Sequence, residues 1–190
     1  DPASFAPADP RRSDGDHAQA PGATRGDGDP GAAADRRLLS WARREGALVD
    51  PAAFRSLPQF EQASEHTVHR QEGSPWVFKV TKRRPIEGSA GYLRRMYLAG
   101  VALGDDVELV GVFGEPGDVG FVVRQSFFVG GHPELRAITN ELEPLGFEPT
   151  SIAGVYDHPD GVMVSDATPN NWLRDSDGNP RPIDAQVGTK

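Results

Sequence analysis

The chain has 190 residues, with 20 basic and 28 acidic side chains for a formal charge of -8, and it contains no cysteine. That length fits one compact domain with a real core and leaves little room for two. The acidic balance argues against broad electrostatic binding to nucleic acid or an anionic membrane. The absence of cysteine excludes disulfides, a thiolate nucleophile and zinc–sulfur sites.

No secretory or spanning apolar stretch stands in these residues, so the expected location is cytoplasmic. The chain opens on Asp1 instead of Met, as a trimmed segment of a longer protein would. Residues 1–34 are rich in Pro, Gly, Ala and Asp, with almost no large apolar side chain after Phe5. Such a composition cannot bury enough surface to offset the entropy of ordering, which predicts a disordered tail or linker.

From Asp35 the pattern changes. Leu38, Leu39, Trp41 and Ala42 stand among arginines, with Asp35 as expected N-cap and Gly46 as stop, predicting a short amphipathic helix that packs on the domain. Residues 64–70 alternate polar and apolar, 71–75 supply turn chemistry, and Trp76–Thr81 is strand-prone, so a hairpin is expected. Pro85 and Gly88 break the chain before a helix over 89–103, spaced by Tyr92, Met96, Ala99 and Leu103 and stopped by Gly104. A strand pair follows over 107–113 and 120–128, then a helix over 133–145. The last expected strand pairs are 151–156 with 161–165, and 172–173 with 182–183. The fold class is therefore α+β.

The chemistry is concentrated near the end. Val162-Met163-Val164-Ser165 delivers Asp166, Asn171 follows five residues later, and Pro182-Ile183 delivers Asp184. Two carboxylates and an amide oxygen in this layout suit phosphoryl transfer, where one carboxylate handles a hydroxyl while the Asn and the other carboxylate hold Mg2+. Ordinary turn chemistry is the competing reading of Asp166 and Asn171, since Asp, Pro and Asn favour loops. Lys79 lies inside the most hydrophobic strand, where an ammonium either meets an anion or points to solvent from an alternating face.

In the order of these elements and motifs, residues 61–186 resemble the protein-kinase-like superfamily, and in particular the small kinase-like domains of polyvalent proteins of phages and mobile elements. The resemblance implies a two-lobed fold, with an N-terminal lobe over 35–124 and a reduced C-terminal lobe over 125–190. It implies Asp166 as the hydroxyl-positioning base, Asn171 and Asp184 as Mg2+ ligands, and Lys79 as the phosphate contact. Gln125 to Gly131 would be the hinge, with Ser126, Phe127 and Phe128 meeting the adenine edge and Phe78, Val110 and Val164 as walls.

Five features depart from that family's pattern. The helix over 89–103 carries no acid to pair with Lys79, leaving Glu87 just ahead of it as candidate. Residues 61–66 hold no glycine where a Gly-rich loop would stand, leaving Ser64 or His66 as side-chain phosphate contacts or as plain strand-edge residues. Val164-Ser165 replaces the His-Arg pair before the catalytic Asp, and Ala185-Gln186 replaces Phe-Gly after the metal Asp. Helices that complete a large lobe are missing. The expected function is an ATP- and Mg2+-dependent transfer of phosphate to a hydroxyl on an unknown protein or small molecule. The alternatives are a catalytically silent kinase-like module that binds nucleotide or a partner, and an unrelated α+β domain with a coincidental Asp-Asn-Asp series. No nucleic-acid or membrane partner is expected, and the oligomeric state stays open.

Overall fold

The computed structural model describes residues 30–63, 65–82 and 84–190. The expected tail lies outside the described residues as far as position 29. From Pro30 the chain is helical, so positions 30–34 belong to an element and not to a tail.

Helix α1 (Pro30–Arg44) buries Ala32, Asp35, Leu39 and Ala42, a stripe of one helical face. Asp35 is consequently not an N-cap. It stands more than a turn inside the helix, fully buried, and accepts hydrogen bonds from the Ser89 hydroxyl and, at 2.9 Å, the Gly117 N–H. Pro at the first helical position supplies the start that the Asp was expected to mark. After α1 the chain runs past Leu48, which forms a parallel bridge to Val112. A short helix α2 (Pro51–Arg55), capped by the Asp50 carboxylate, precedes the first strand.

Five antiparallel strands follow: β1 (Gln59–Gln62), β2 (His66–His69), β3 (Trp76–Thr81), then after helix α3 (Gly88–Leu103) β4 (Glu108–Glu115) and β5 (Asp118–Ser126). Their order is β1-β2-β3-β5-β4. The register sets Val68 opposite Lys79 and Val77 opposite Gln125, so these four side chains share one sheet face. β4 and β5 run closer to their turn than the expected strands over 107–113 and 120–128, because Glu115 pairs with Asp118 across Pro116-Gly117, with Gly117 at φ 97°.

Helix α3 joins two cores. With α1 it packs Leu39, Ala42, Tyr92, Val112, Val119, Phe121 and Val123 under the sheet. Its Ala99 and Leu103 enter a second cluster with Ile138, Leu142, Tyr156, Val164, Trp172 and Val187. Gly104, left-handed at φ 63°, ends the helix as its spacing predicts.

The second part holds helix α4 (Leu135–Leu142) and a 3-10 turn at Glu143–Leu145, then β6 (Glu148–Pro149), β7 (Tyr156–Asp157), β8 (Val162–Ser165), β9 (Trp172–Arg174), β10 (Pro180–Pro182) and β11 (Gln186–Thr189). Residues 151–154 turn instead of extending, so the strand expected over 151–156 is reduced to its end. β8 lies between β7 and the unexpected β11. β9 and β10 form the expected hairpin, with Trp172 opposite Pro182.

Candidate functional site

A cleft of about 280 Å3 opens between the five-stranded sheet and the segments around β8 to β10. Lys79, Gln125, Ser126, Phe127, Phe128, Asp166, Asn171 and Asp184 all line it. These eight side chains, singled out in the sequence for phosphate, nucleotide, metal and hydroxyl, come from four separate stretches of chain.

The Asp166 segment is held by its own backbone. β8 ends at Ser165, and Asp166 adopts φ 56°, the one non-glycine residue in the left-handed region among the described residues. That turn lets the Ala167 N–H reach Gly154 C=O at 3.0 Å, and Pro169–Asn171 then forms a 3-10 turn. The Asn171 side-chain amide donates back to Asp166 C=O at 2.9 Å. In the other direction, Asn171 C=O accepts from the N–H groups of Ile183 at 2.8 Å and Asp184 at 3.3 Å. Asn171 thus links both acidic segments. His132 braces the same turn, with Nδ1 at 2.9 Å from Pro169 C=O and 3.0 Å from Trp172 C=O, so that nitrogen carries the hydrogen.

Lys79 is half-buried on the cleft face, and its ammonium donates to Ile183 C=O, next to Asp184. Its strand face is settled by Val68 and Gln125, as the register requires. Glu87 ion-pairs with Arg95 at 3.1 Å, whereas Asp105, just past the α3 cap, lies close enough for the Lys79 charge to act on it. Burial pushes the Asp105 carboxyl up to about 6, against the opposing pull of Lys79 and of a 2.7 Å hydrogen bond from Gln125 Nε2. Sequence reading missed Asp105. Its signal was an Asp-Asp pair at a helix C-terminus, where the macrodipole disfavours negative charge unless other groups hold it.

His66 lines the cleft but is not a cationic phosphate grip. Burial, helped by Lys79, Arg95 and Lys82, pulls its pKa down to about 3, so the ring is neutral. Nε2 meets the Tyr92 hydroxyl at 3.0 Å, while Nδ1 has no hydrogen-bond partner among the described residues. Ser64 lies outside the described residues.

The walls differ from those expected. Val68, Val77, Leu173 and Ile183 line the cleft. Phe78, one residue out of phase with Val77 and Lys79, faces the other side of the sheet and packs on Phe54 at 5.3 Å between ring centroids. Val110 sits on edge strand β4, and Val164 is fully buried in the second core. At the hinge, the Ser126 N–H points to the Asp106 carboxylate at 3.3 Å and the Phe127 N–H to Pro75 C=O at 2.8 Å. The Phe128 N–H makes no hydrogen bond among the described residues. Phe127 is clamped by the Arg70 guanidinium, 3.6 Å over its ring, and by Phe60 edge-on at 5.3 Å.

The donor set suits a hard cation. Because the Asn171 NH2 is turned to Asp166 C=O, its Oδ1 is the atom left for a metal, and the Asp184 carboxylate lines the same cleft. No group of three or more His, Cys, Asp or Glu side chains gathers as a metal cage among the described residues. Two protein oxygens fit Mg2+, which keeps water and takes further oxygens from phosphates. Among the described residues no helix is long and apolar enough to cross a membrane. No protein-family model matches the chain, and no curated protein is similar to it.

Proposed function

We propose that the chain is a minimal, two-lobed kinase-like phosphotransferase that moves the γ-phosphate of ATP to a hydroxyl, with Mg2+ as cofactor. The observation that carries this reading is the convergence of Lys79, the 125–128 segment, Asp166, Asn171 and Asp184 on one cleft. A coincidental Asp-Asn-Asp series would have no reason to share a cavity with the strand Lys.

In this reading the base lies between Val68 and Val77 above and Leu173 and Ile183 below. Since the Ser126 and Phe127 N–H groups are engaged within the protein, the Phe128 N–H is the donor that remains to meet the adenine edge. Lys79 neutralises phosphate charge from the sheet side. Mg2+, held by Asn171 Oδ1 and the Asp184 carboxylate, would screen phosphate charge during transfer. Asp166, exposed at the mouth and fixed by Asn171, orients the acceptor hydroxyl and receives its proton. The acceptor is an unidentified protein or small molecule, and a cytoplasmic setting with its ATP supply fits the composition.

The second reading is a kinase-like module that binds nucleotide without turnover. It is favoured by α3, which carries no acidic side chain to grip Lys79, and by a C-terminal part with α4 as its one α-helix among the described residues. Transfer of labelled phosphate from ATP to pools of candidate acceptors separates the two. Transfer that disappears in Asp166→Asn supports the enzyme. Stabilisation by ATP and Mg2+ without transfer supports the module, and no stabilisation at all overturns both.

A further inference from the structure

We propose that Arg95 is a positioning residue for the Mg2+-carrying Asp184, acting through Gln186 and Glu65. The inference rests on the nucleotide and Mg2+ reading above and names the device that sets its metal segment.

One guanidinium joins three separate stretches of chain. Arg95 Nη2 donates to both Glu65 carboxylate oxygens, at 2.8 and 2.7 Å, and pairs with Glu87 at 3.1 Å. Its Nη1 donates to Gln186 Oε1. Gln186 stands two residues past Asp184 and pairs with Ser165 in the β11–β8 ladder, directly beside Asp166. Glu65 immediately precedes His66, whose ring lines the cleft. A shift of α3 is therefore passed to the strand leaving Asp184 and to the cleft roof together.

The site is drier than a surface ion pair. The Arg95 and Glu65 side chains are 18% and 22% exposed, and burial raises the Glu65 pKa despite the guanidinium beside it. The Arg95 group lies 5.2 Å from the Tyr92 ring centroid, on the helix that carries both. In this tie α3 supplies the guanidinium, while Glu65 ahead of β2 and Glu87 at the cap of α3 supply the carboxylates. Gln186 is neutral, so its bond to Arg95 contributes direction more than charge. A planar fork can serve the acids and the amide at once, which a single ammonium does not reproduce.

The test titrates Mg2+ into the purified 190-residue chain with saturating ATP and reads thermal stabilisation, for wild type, Arg95→Gln, Arg95→Lys, Gln186→Ala and the double variant of Arg95→Gln with Gln186→Ala. The expected result is unchanged stabilisation by ATP in EDTA. The Mg2+ midpoint should rise about tenfold in Arg95→Gln and Gln186→Ala, with a smaller rise in Arg95→Lys. The double variant of Arg95→Gln with Gln186→Ala should be no worse than Arg95→Gln alone, because that substitution already removes the link to Gln186. A midpoint within about twofold of wild type in folded Arg95→Gln would overturn the role of Arg95. Should that variant fail to fold, Gln186→Ala, which keeps all three carboxylate contacts, decides alone by the same criterion. Wild type that shows no ATP stabilisation with or without Mg2+ overturns the nucleotide reading itself, a distinct result.

Discussion

The Asn171 side-chain amide holds the backbone carbonyl of Asp166 at 2.9 Å, and Asp166 stands at φ 56° where that bond is made. The residue taken as the base therefore also carries a backbone conformation that β-carbon sterics disfavour.

These two duties separate by substitution. Asp166→Asn keeps a side chain that tolerates the left-handed region, whereas Asp166→Ala adds roughly 1 kcal/mol of backbone cost. Both are expected to reduce phosphate transfer at least about a hundredfold, with only Ala lowering stability noticeably. Urea denaturation beside the transfer assay checks this. Asn retaining near-wild-type transfer would remove Asp166 from the chemistry.

Acid should pull His66 and Asp105 in opposite directions. His66 has a folded pKa of about 3 against an ordinary 6.5, so the stability tied to its neutral ring is complete above 6.5 and is lost as pH falls. That amounts to about 2 kcal/mol by pH 5. Asp105 is raised from 3.8 to about 6, so the folded state holds its proton more tightly and stability falls as pH rises through that window, by up to about 3 kcal/mol. Relative to wild type, His66→Gln should gain stability between pH 7 and 5, and Asp105→Asn should lose it over the same interval. Parallel profiles for all three proteins would contradict both assignments.

Asp35 joins α1 to the start of α3 and to the β4–β5 turn through Ser89 and Gly117. Asp35→Ala leaves a buried hydroxyl and an N–H without their acceptor, which costs on the order of 2–4 kcal/mol. Asp35→Asn, which preserves one oxygen, should cost less. Both are read from the midpoint of chemical unfolding, and a neutral Ala variant would show that α1 is only loosely attached.

Gly130 lies where the hinge segment crosses β9, and a β-carbon there would fall 2.1 Å from Arg174 C=O. Gly130→Ala should therefore destabilise by about 1–3 kcal/mol and weaken nucleotide-induced stabilisation, since it pushes Phe128 from the β9 side of the cleft. Gly131, with open space around it, is the control and should change stability by less than about 0.5 kcal/mol on substitution to Ala.

Local pattern carried much of this architecture. The β2–β3 hairpin follows from alternation around turn residues, and α3 from helical spacing ended by Gly104. The order of Lys79, Asp166, Asn171 and Asp184 was readable because Lys79, Asp166 and Asp184 sit at the end or middle of apolar runs and Asn171 follows Asp166 at a spacing of five. β11 was not, because Gln186–Thr189 contains one large apolar residue, Val187, and owes its extended form to pairing with β8. Asp35 was misread because a cap and a buried acceptor look alike in one dimension. The choice of Phe78 as a wall was an error of parity that the sequence itself could have corrected, since Lys79 and Phe78 cannot face the same side. Arg95 and Asp105 gain their meaning from contacts across long chain separations, which no window of residues displays.

The short crossing after α1 does more than link two elements. Ala47 C=O and Val49 N–H both bond to Val112, at 2.8 and 3.0 Å, and Val49 lies so close to Gly111 that a β-carbon there would come within 2.4 Å of it. The outer rim of β4 is thereby stoppered by the protein's own chain. Fragments trimmed past Val49 should free the Val112 N–H and C=O at the middle of this edge and self-associate through sheet extension, so light scattering on such fragments would report the loss of this stopper before any assay of the cleft did.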